Sequence, residues 1–300
     1  YNHQNDEEKN RVMVDYRTGD VQIPKVSTKE ALASVAKDFI QSILQNSGKR
    51  CISGQSFFHR KFSMIKKTIL ITGANGLLGQ KLVKQILEEG HFEVIPTGLG
   101  ESRLPENLGE IKWISLDITK SDEVLMVFEK VKPDFVINTA AMTNVDDCEN
   151  EKKTCEILNI HAVMNLIHAS QRFNSHLVHL STDFIFDGEA GPYNEEAIPN
   201  PVNYYGQTKL EAEEIVMNSG LNWAIARTAI VFGVSYDLSR SNIILWVKAS
   251  LEACKEIQVV DDQVRTPTLA EDLASGCILI AEKRATGVFN ISGSELLTPY

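Results

Sequence analysis

The run Lys67-Thr68-Ile69-Leu70-Ile71-Thr72 is short, apolar and β-branched, and glycines follow it at once at positions 73, 76 and 79. Such a run reads as a buried strand. From Gln80 to Glu89 the apolar residues Leu82, Val83, Ile86 and Leu87 recur at helical spacing, and Gly90 supplies a C-terminal stop. Phe92-Glu93-Val94-Ile95 reads as the next strand. The glycines therefore sit at a strand-to-helix turn inside a βαβ unit, which commits this part of the chain to a parallel sheet. Gly73 permits the tight turn, Gly76 lets a pyrophosphate approach the backbone, and Gly79 lets the helix pack closely. The helix N-terminus adds amide donors and a partial positive charge for an anion. Gly73, Asn75, Gly76, Leu77 and Gly79 are thus candidate cofactor-binding residues. The spacing is G-x-x-G-x-x-G rather than G-x-G-x-x-G, so by itself it establishes only a tight corner.

A second constellation gives the turn a purpose. Thr182, in Ser181-Thr182-Asp183, follows the apolar run Leu177-Val178-His179-Leu180, and Tyr205 and Lys209 come one loop later. A phenol and an ammonium four residues apart share one face of a helix. Free tyrosine, with a pKa of about 10, exchanges protons poorly at neutral pH. A nearby ammonium stabilises the phenolate and is expected to pull Tyr205 towards the working range. The threonine hydroxyl can hold a carbonyl beside the phenol. Taken singly, Thr182 could cap a turn, and Tyr205 with Lys209 could be a solvated pair. In this order, downstream of a dinucleotide turn, the three are equipment for interconverting a ketone and an alcohol.

These segments resemble the extended short-chain dehydrogenase/reductases, and within them the dTDP-4-dehydrorhamnose reductase family. The likeness rests on Asn138-Thr139-Ala140-Ala141-Met142-Thr143-Asn144-Val145-Asp146, on Ser181 through Gly188, and on Pro192-Tyr193-Asn194-Glu195. It extends through Asn200 to Gly206, Val259 to Gln263, and Pro267-Thr268. The resemblance implies NADPH or NADH as cofactor and a nucleotide-sugar as substrate. It makes Tyr205 the proton donor to the sugar C4 oxygen, Lys209 its tuner and a ribose contact, and Thr182 the partner of the keto group. It places Asp117 and Ile118 near the adenine, and Ala140, Ala141 and Thr143 on the ribose side. Asn144, Asp183, Arg227, Gln263 and Pro267 would face the substrate, with Arg265 a further candidate for its phosphates. Asn159 would support the site, or would be a polar residue at a helix interface. Asp117 could also cap a helix ahead of Glu123.

Two positions depart from the family. Ile230 stands where it often has tryptophan, so an aromatic wall beside the sugar would be missing. The second strand ends Ile95-Pro96-Thr97-Gly98 without an acid. A carboxylate there would repel a 2′-phosphate; its absence admits NADPH, with Arg103 in reach of such a phosphate, and dual use of both cofactors is expected.

The expected fold is α/β: a doubly wound, Rossmann-like, mostly parallel sheet with a smaller C-terminal substrate lobe. Strands are expected at 68–71, 93–95, 112–116, 135–138, 176–180, 223–227 and 287–291. The dinucleotide-binding reductase domain would run over 64–300 and be C-terminally incomplete. Residues 1–63 would form an extension or a fragment of another domain, with an amphipathic helix over 28–44 and a linker over 45–63. A net charge of −10 argues against nucleic acid as a partner. No run of 18 apolar residues suggests a membrane span. The cysteines at 51, 148, 155, 254 and 277 form no C-x-x-C, which fits reduced thiols in a cytoplasmic protein. Cys148 and Cys155, seven apart, should share a helix face; His161 and His168, also seven apart, should pack rather than bind a metal. A homodimer is left open.

Three functions follow. The first is reduction of the 4-keto group of a nucleotide-sugar, with dTDP-4-dehydro-L-rhamnose as leading candidate. The second is epimerase or dehydratase chemistry, against which stands the lack of an Asp-Glu pair after Thr182. The third is a regulatory dinucleotide-binding subunit resembling the β subunit of methionine adenosyltransferase.

Overall fold

A computed structural model describes residues 66–236, 242–260 and 262–298. The expected helix over 28–44 and linker over 45–63 lie outside the described residues, as does Cys51. Nine strands are β1 (Thr68–Thr72), β2 (Glu93–Gly98), β3 (Ile114–Ser115), β4 (Phe135–Asn138), β5 (His176–Thr182), β6 (Trp223–Thr228), β7 (Val231–Phe232), β8 (Thr268–Leu269) and β9 (Gly287–Asn290). Seven of them form one sheet in the order β3-β2-β1-β4-β5-β6-β9, and every pairing is parallel. The short pair β7-β8 forms a second, two-stranded sheet at the smaller lobe.

The helices are α1 (Leu77–Glu89), α2 (Ser121–Val131), α3 (Val145–Asn150), α4 (Lys152–Glu156), α5 (Ala162–Phe173), α6 (Tyr204–Met217), α7 (Ile243–Glu252) and α8 (Ala270–Lys283). A π-helical turn, Ile157–His161, joins α4 to α5. A parallel sheet covered on both sides needs strands that are apolar throughout rather than alternating. Ile69, Leu70 and Ile71 meet that need and are fully buried. Leu70, Val136, Leu177 and Ile225 face the helices α2, α5 and α6 through Val124, Phe128, Leu166 and Val216. On the other side α1 packs against α8, β1 and β2.

The expected strands all form. The third is shorter than its expected span of 112–116 and pairs only through Ile114 and Ser115, because it is the sheet edge and has one neighbour. α1 ends where expected, its cap being Gly90 at φ 68°. Asp117 does not cap α2. That helix starts after Lys120, while the Asp117 carboxylate accepts from the amide and hydroxyl of Thr119 and the Asp117 amide donates to Glu123. Cys148 and Cys155 fall on different helices, because the chain breaks helical geometry at Glu151, φ −122°. Both thiols are nonetheless buried against Tyr205. His161 and His168 are exposed rather than packed. Among the described residues, no helix is long and apolar enough to cross a membrane and no group of side chains could hold a metal.

Phe128 is fully buried between α2 and α5, its ring 6.1 Å from that of Phe173. Phe128→Ala should destabilise the fold by about 3–5 kcal/mol, read from the midpoint of guanidinium unfolding at unchanged slope.

Candidate active site

The strands all direct their carboxyl ends to one side, and the chain leaves β1 towards β2 but reaches β5 and β6 from β4. Ligands of such sheets bind in the crevice at that reversal. A cavity of about 590 Å³ lies there. Asn75 to Gly79 and Arg103 line one end, Asn138 to Ala141 with Thr143 and Asn144 the middle, and Ser181 to Phe184, Tyr205 and Lys209 the other end. Thr228 at the end of β6 closes it together with Ile230, Asn242 and Arg265.

At the glycine turn, Gly73 has φ 69°, in the left-handed region. A Cβ on Gly79 would lie 2.5 Å from the Gly73 carbonyl oxygen and 2.6 Å from Ala74 Cα, so α1 could not seat on the turn. Gly76 is the N-cap of α1 and offers no side chain, leaving the first-turn amides open to the cavity. Asn75 spends its side chain on the loop after β2: its Nδ2 donates to Glu101 O (2.9 Å) and its Oδ1 accepts from the Arg103 amide (2.8 Å). This holds Arg103 at the cavity edge. Asp117 and Ile118 lie outside the cavity lining; Ile118 is a core residue.

At the other end, Thr182 finishes β5 and its hydroxyl accepts from the Phe184 amide, so it does cap a turn as well as line the cavity. That hydroxyl donates to Asp183 Oδ1 (3.2 Å). Asn203 starts α6 by accepting from the Gly206 amide. Gly206 then passes so close to the turn after β5 that a Cβ there would lie 2.1 Å from Phe184 O. Tyr205 is buried, and burial raises its phenol above the usual range, with the Thr182 hydroxyl pulling the other way. The expected lowering of Tyr205 by Lys209 is not the dominant effect. The Lys209 Nζ instead donates to Leu180 O (2.7 Å) and lies 3.1 Å from His179 Nε2. Burial lowers Lys209 to about 8, against an upward pull from Glu213 and Cys155.

Arg227 does not face the cavity. It is buried and grips Glu213, itself fully buried, through Nε at 3.0 Å and NH2 at 2.7 Å, while its other nitrogen donates to Glu195 O. Gln263 and Pro267 also lie outside the lining, and Gln263 is exposed. Arg265 does line the cavity; it pairs with Asp183 at 2.6 Å and stacks 4.5 Å over Phe184. Asn144 lines the cavity too and caps α3, accepting from the amides of Asp146 and Asp147. Asn159 lies in the π turn, buried, and pins Met142 by both backbone groups: Oδ1 accepts from its amide and Nδ2 donates to its carbonyl. Ile230 has φ 37°, an unusual conformation for a β-branched residue and a sign of local strain.

Sequence reasoning missed Glu213, His179, Asn138 and the hydroxyl of Ser181. Glu213 lies four residues after Lys209 on the buried face of α6, and a carboxylate there demands a cation. His179 is a buried ring nitrogen base inside the apolar run Leu177–Leu180 of β5. The Ser181 hydroxyl is buried and has no hydrogen-bond partner among the described residues. It leaves a donor and acceptor at the cavity for a bound group, and with the open amides of α1 it makes the lining fit a dinucleotide.

Fold and site together define a class, the oxidoreductases of short-chain dehydrogenase/reductase type. The chain belongs to the RmlD substrate binding domain family, whose description matches residues 67–300. It is 36% identical over 242 residues to a dTDP-4-dehydrorhamnose reductase of Aggregatibacter actinomycetemcomitans, covering 77% of this chain and 75% of the relative. It is 31% identical to the methionine adenosyltransferase 2 subunit beta of Bos taurus, covering 78% and 69%. The solved dTDP-4-dehydrorhamnose reductase of Bacillus anthracis, in complex with NADP, superposes with a TM-score of 0.66 at 28% identity, covering 78% of this chain and 77% of that one.

If Arg227 is a structural partner, Arg227→Met should strand a buried carboxylate and cost about 3–5 kcal/mol. The double change Arg227→Met with Glu213→Leu should recover most of that loss in urea unfolding. Loss of substrate affinity at unchanged stability would assign Arg227 to the substrate instead.

Proposed function

We propose that the chain reduces the 4-keto group of a nucleotide-sugar at the expense of NADPH or NADH, and that dTDP-4-dehydro-L-rhamnose is the substrate. The carrying observation is that Thr182, Tyr205 and Lys209 meet in one cavity whose far end is the glycine turn. A reduced nicotinamide held there would supply a hydride to the sugar C4. Tyr205 gives its proton to the C4 oxygen, so that hydride and proton together convert the ketone to an alcohol. Its burial favours the neutral phenol, which keeps that proton available. The Thr182 hydroxyl donates to the same oxygen, turning away from Asp183 to do so. Lys209, as an ammonium, stabilises the phenolate left behind and contacts the ribose. The amides at the start of α1 and the backbone at Gly76 hold the pyrophosphate. Ala140, Ala141 and Thr143 line the ribose side, and Asn144, Asp183 and Arg265 face the sugar nucleotide. Arg103 takes the 2′-phosphate of NADPH.

The buried free thiols Cys148, Cys155 and Cys277 suit the cytoplasm, where this reading places the chain. Sedimentation of the full chain tests the homodimer. The similarity to the β subunit of methionine adenosyltransferase supports a second reading, a regulatory dinucleotide-binding subunit. Stoichiometric oxidation of NADPH on addition of a dTDP-4-keto-6-deoxyhexose decides for the reductase; its absence, with co-purification of a synthetase, decides for the subunit.

Tyr205→Phe should keep the native fold and lower kcat by about 10²–10⁴-fold. The pH dependence of kcat/KM should show an alkaline limb near pH 8. Lys209 loses its ammonium above its lowered pKa of about 8, and the phenolate then lacks its counter-charge. A flat profile to about pH 10 would remove Lys209 from this role.

A further inference from the structure

A row of buried polar groups runs from Lys209 across three strands. Lys209 Nζ is 3.1 Å from His179 Nε2, His179 Nδ1 is 3.1 Å from Asn138 Nδ2, and Asn138 Oδ1 accepts from the Thr72 hydroxyl at 2.6 Å. Thr72, Asn138, His179 and Lys209 are all at most 3% exposed. Buried polar groups need partners, and an unpartnered donor costs about 1–3 kcal/mol. A neutral imidazole has one N–H and one lone pair. It therefore cannot accept at both nitrogens at once, as an ammonium on one side and an amide NH₂ on the other would require.

Two arrangements give both nitrogens of the ring a partner. With Lys209 a neutral amine, His179 Nε2–H donates to Nζ, His179 Nδ1 accepts from Asn138 Nδ2, and Asn138 Oδ1 accepts from Thr72 and from the Ala140 amide at 3.3 Å. With Lys209 an ammonium, Nζ donates to Nε2, the ring proton moves to Nδ1, and the Asn138 amide turns over to accept it. Asn138 Nδ2 then donates to the Thr72 hydroxyl, while the bond that this hydroxyl donated to Oδ1 and the long contact from the Ala140 amide are given up. Lys209 keeps its bond to Leu180 O in both. Protonation of the ring itself is opposed, first by burial and then by the charge on Lys209.

We propose that His179 is a positioning residue for Lys209, its tautomer changing with the charge on Lys209 and the Asn138 amide turning to match. The surrounding charges require such a device. Glu213, one turn further along α6, has both oxygens engaged by Arg227 of β6. Cys155 of α4 and Tyr205 of α6 are the remaining titratable neighbours, and burial favours the neutral phenol of Tyr205. The ammonium is thus the unmatched charge among these groups, and the ring lets it come and go with both ring nitrogens partnered in either state. The catalytic consequence rests on the reductase reading; the tautomer change does not.

The test is the ¹⁵N long-range spectrum of the full-length, histidine-labelled protein, with the His179 signals assigned by their loss in His179→Gln. Between about pH 6.5 and about pH 9.5, the proton should move from Nδ1 to Nε2, with the midpoint of the Lys209 side-chain signals. One tautomer at both ends overturns the proposal. In Lys209→Met the tautomer should stay fixed, and a persisting change overturns it equally. Asn138→Leu should move the alkaline limb of kcat/KM down by about one pH unit, because the Nδ1–H of the charged state loses its acceptor; an unmoved limb counts against the relay. If no dTDP-4-keto-6-deoxyhexose is reduced, the reductase reading falls and the spectra alone decide for or against the relay.

Discussion

The crevice between the connections of β1 and β4 is the constraint on which this molecule depends. All seven strands run the same way, so their backbone ends and the loops that follow them open on one side. The glycine turn follows β1, the Asn138–Asn144 segment follows β4, and the Thr182 turn follows β5. A cavity with a dinucleotide turn at one end and a hydroxyl, a phenol and an amine at the other is the result of that strand order. No single residue creates it.

Charge burial is the second determinant. α6 turns Tyr205, Thr208, Lys209, Ala212, Glu213 and Val216 inward. Three of these six can ionise, so the helix is seated by partners as much as by apolar surface. Glu213 and Arg227 neutralise one another, and Lys209 is held by a carbonyl and a ring nitrogen. Removing either partner of such a pair leaves a charge in a place without water, which costs far more than the pair contributes. The π turn adds a further constraint, since Asn159 there fixes the backbone of Met142 beside the cavity; such turns often mark functional sites.

The sheet was legible in the sequence because its strands are largely apolar runs, and Ile69 to Ile71 or Phe135 to Ile137 have no alternative use. The glycine turn and the Thr182, Tyr205 and Lys209 trio were legible because their spacing is local. Partnerships between distant residues were not. Arg227 looked like a substrate contact because an arginine at a strand end near the site is free to be one on paper; its partner lies 14 residues away on a helix whose buried face could not be read from apolar periodicity. The Asn138–His179 contact spans 41 positions and exists only because β4 and β5 are neighbours. Asp117 was misplaced as a cap because its own turn, closed by Thr119, delays the helix.

The contact between Gly206 and Phe184 O sets a tolerance. Backbone there meets backbone, with no side chain between to change rotamer and absorb an error. The position of Tyr205 relative to the turn that carries Thr182 is therefore set where two stretches of backbone meet. The placement of the proposed proton donor is thus set by backbone, the least adjustable part of the chain.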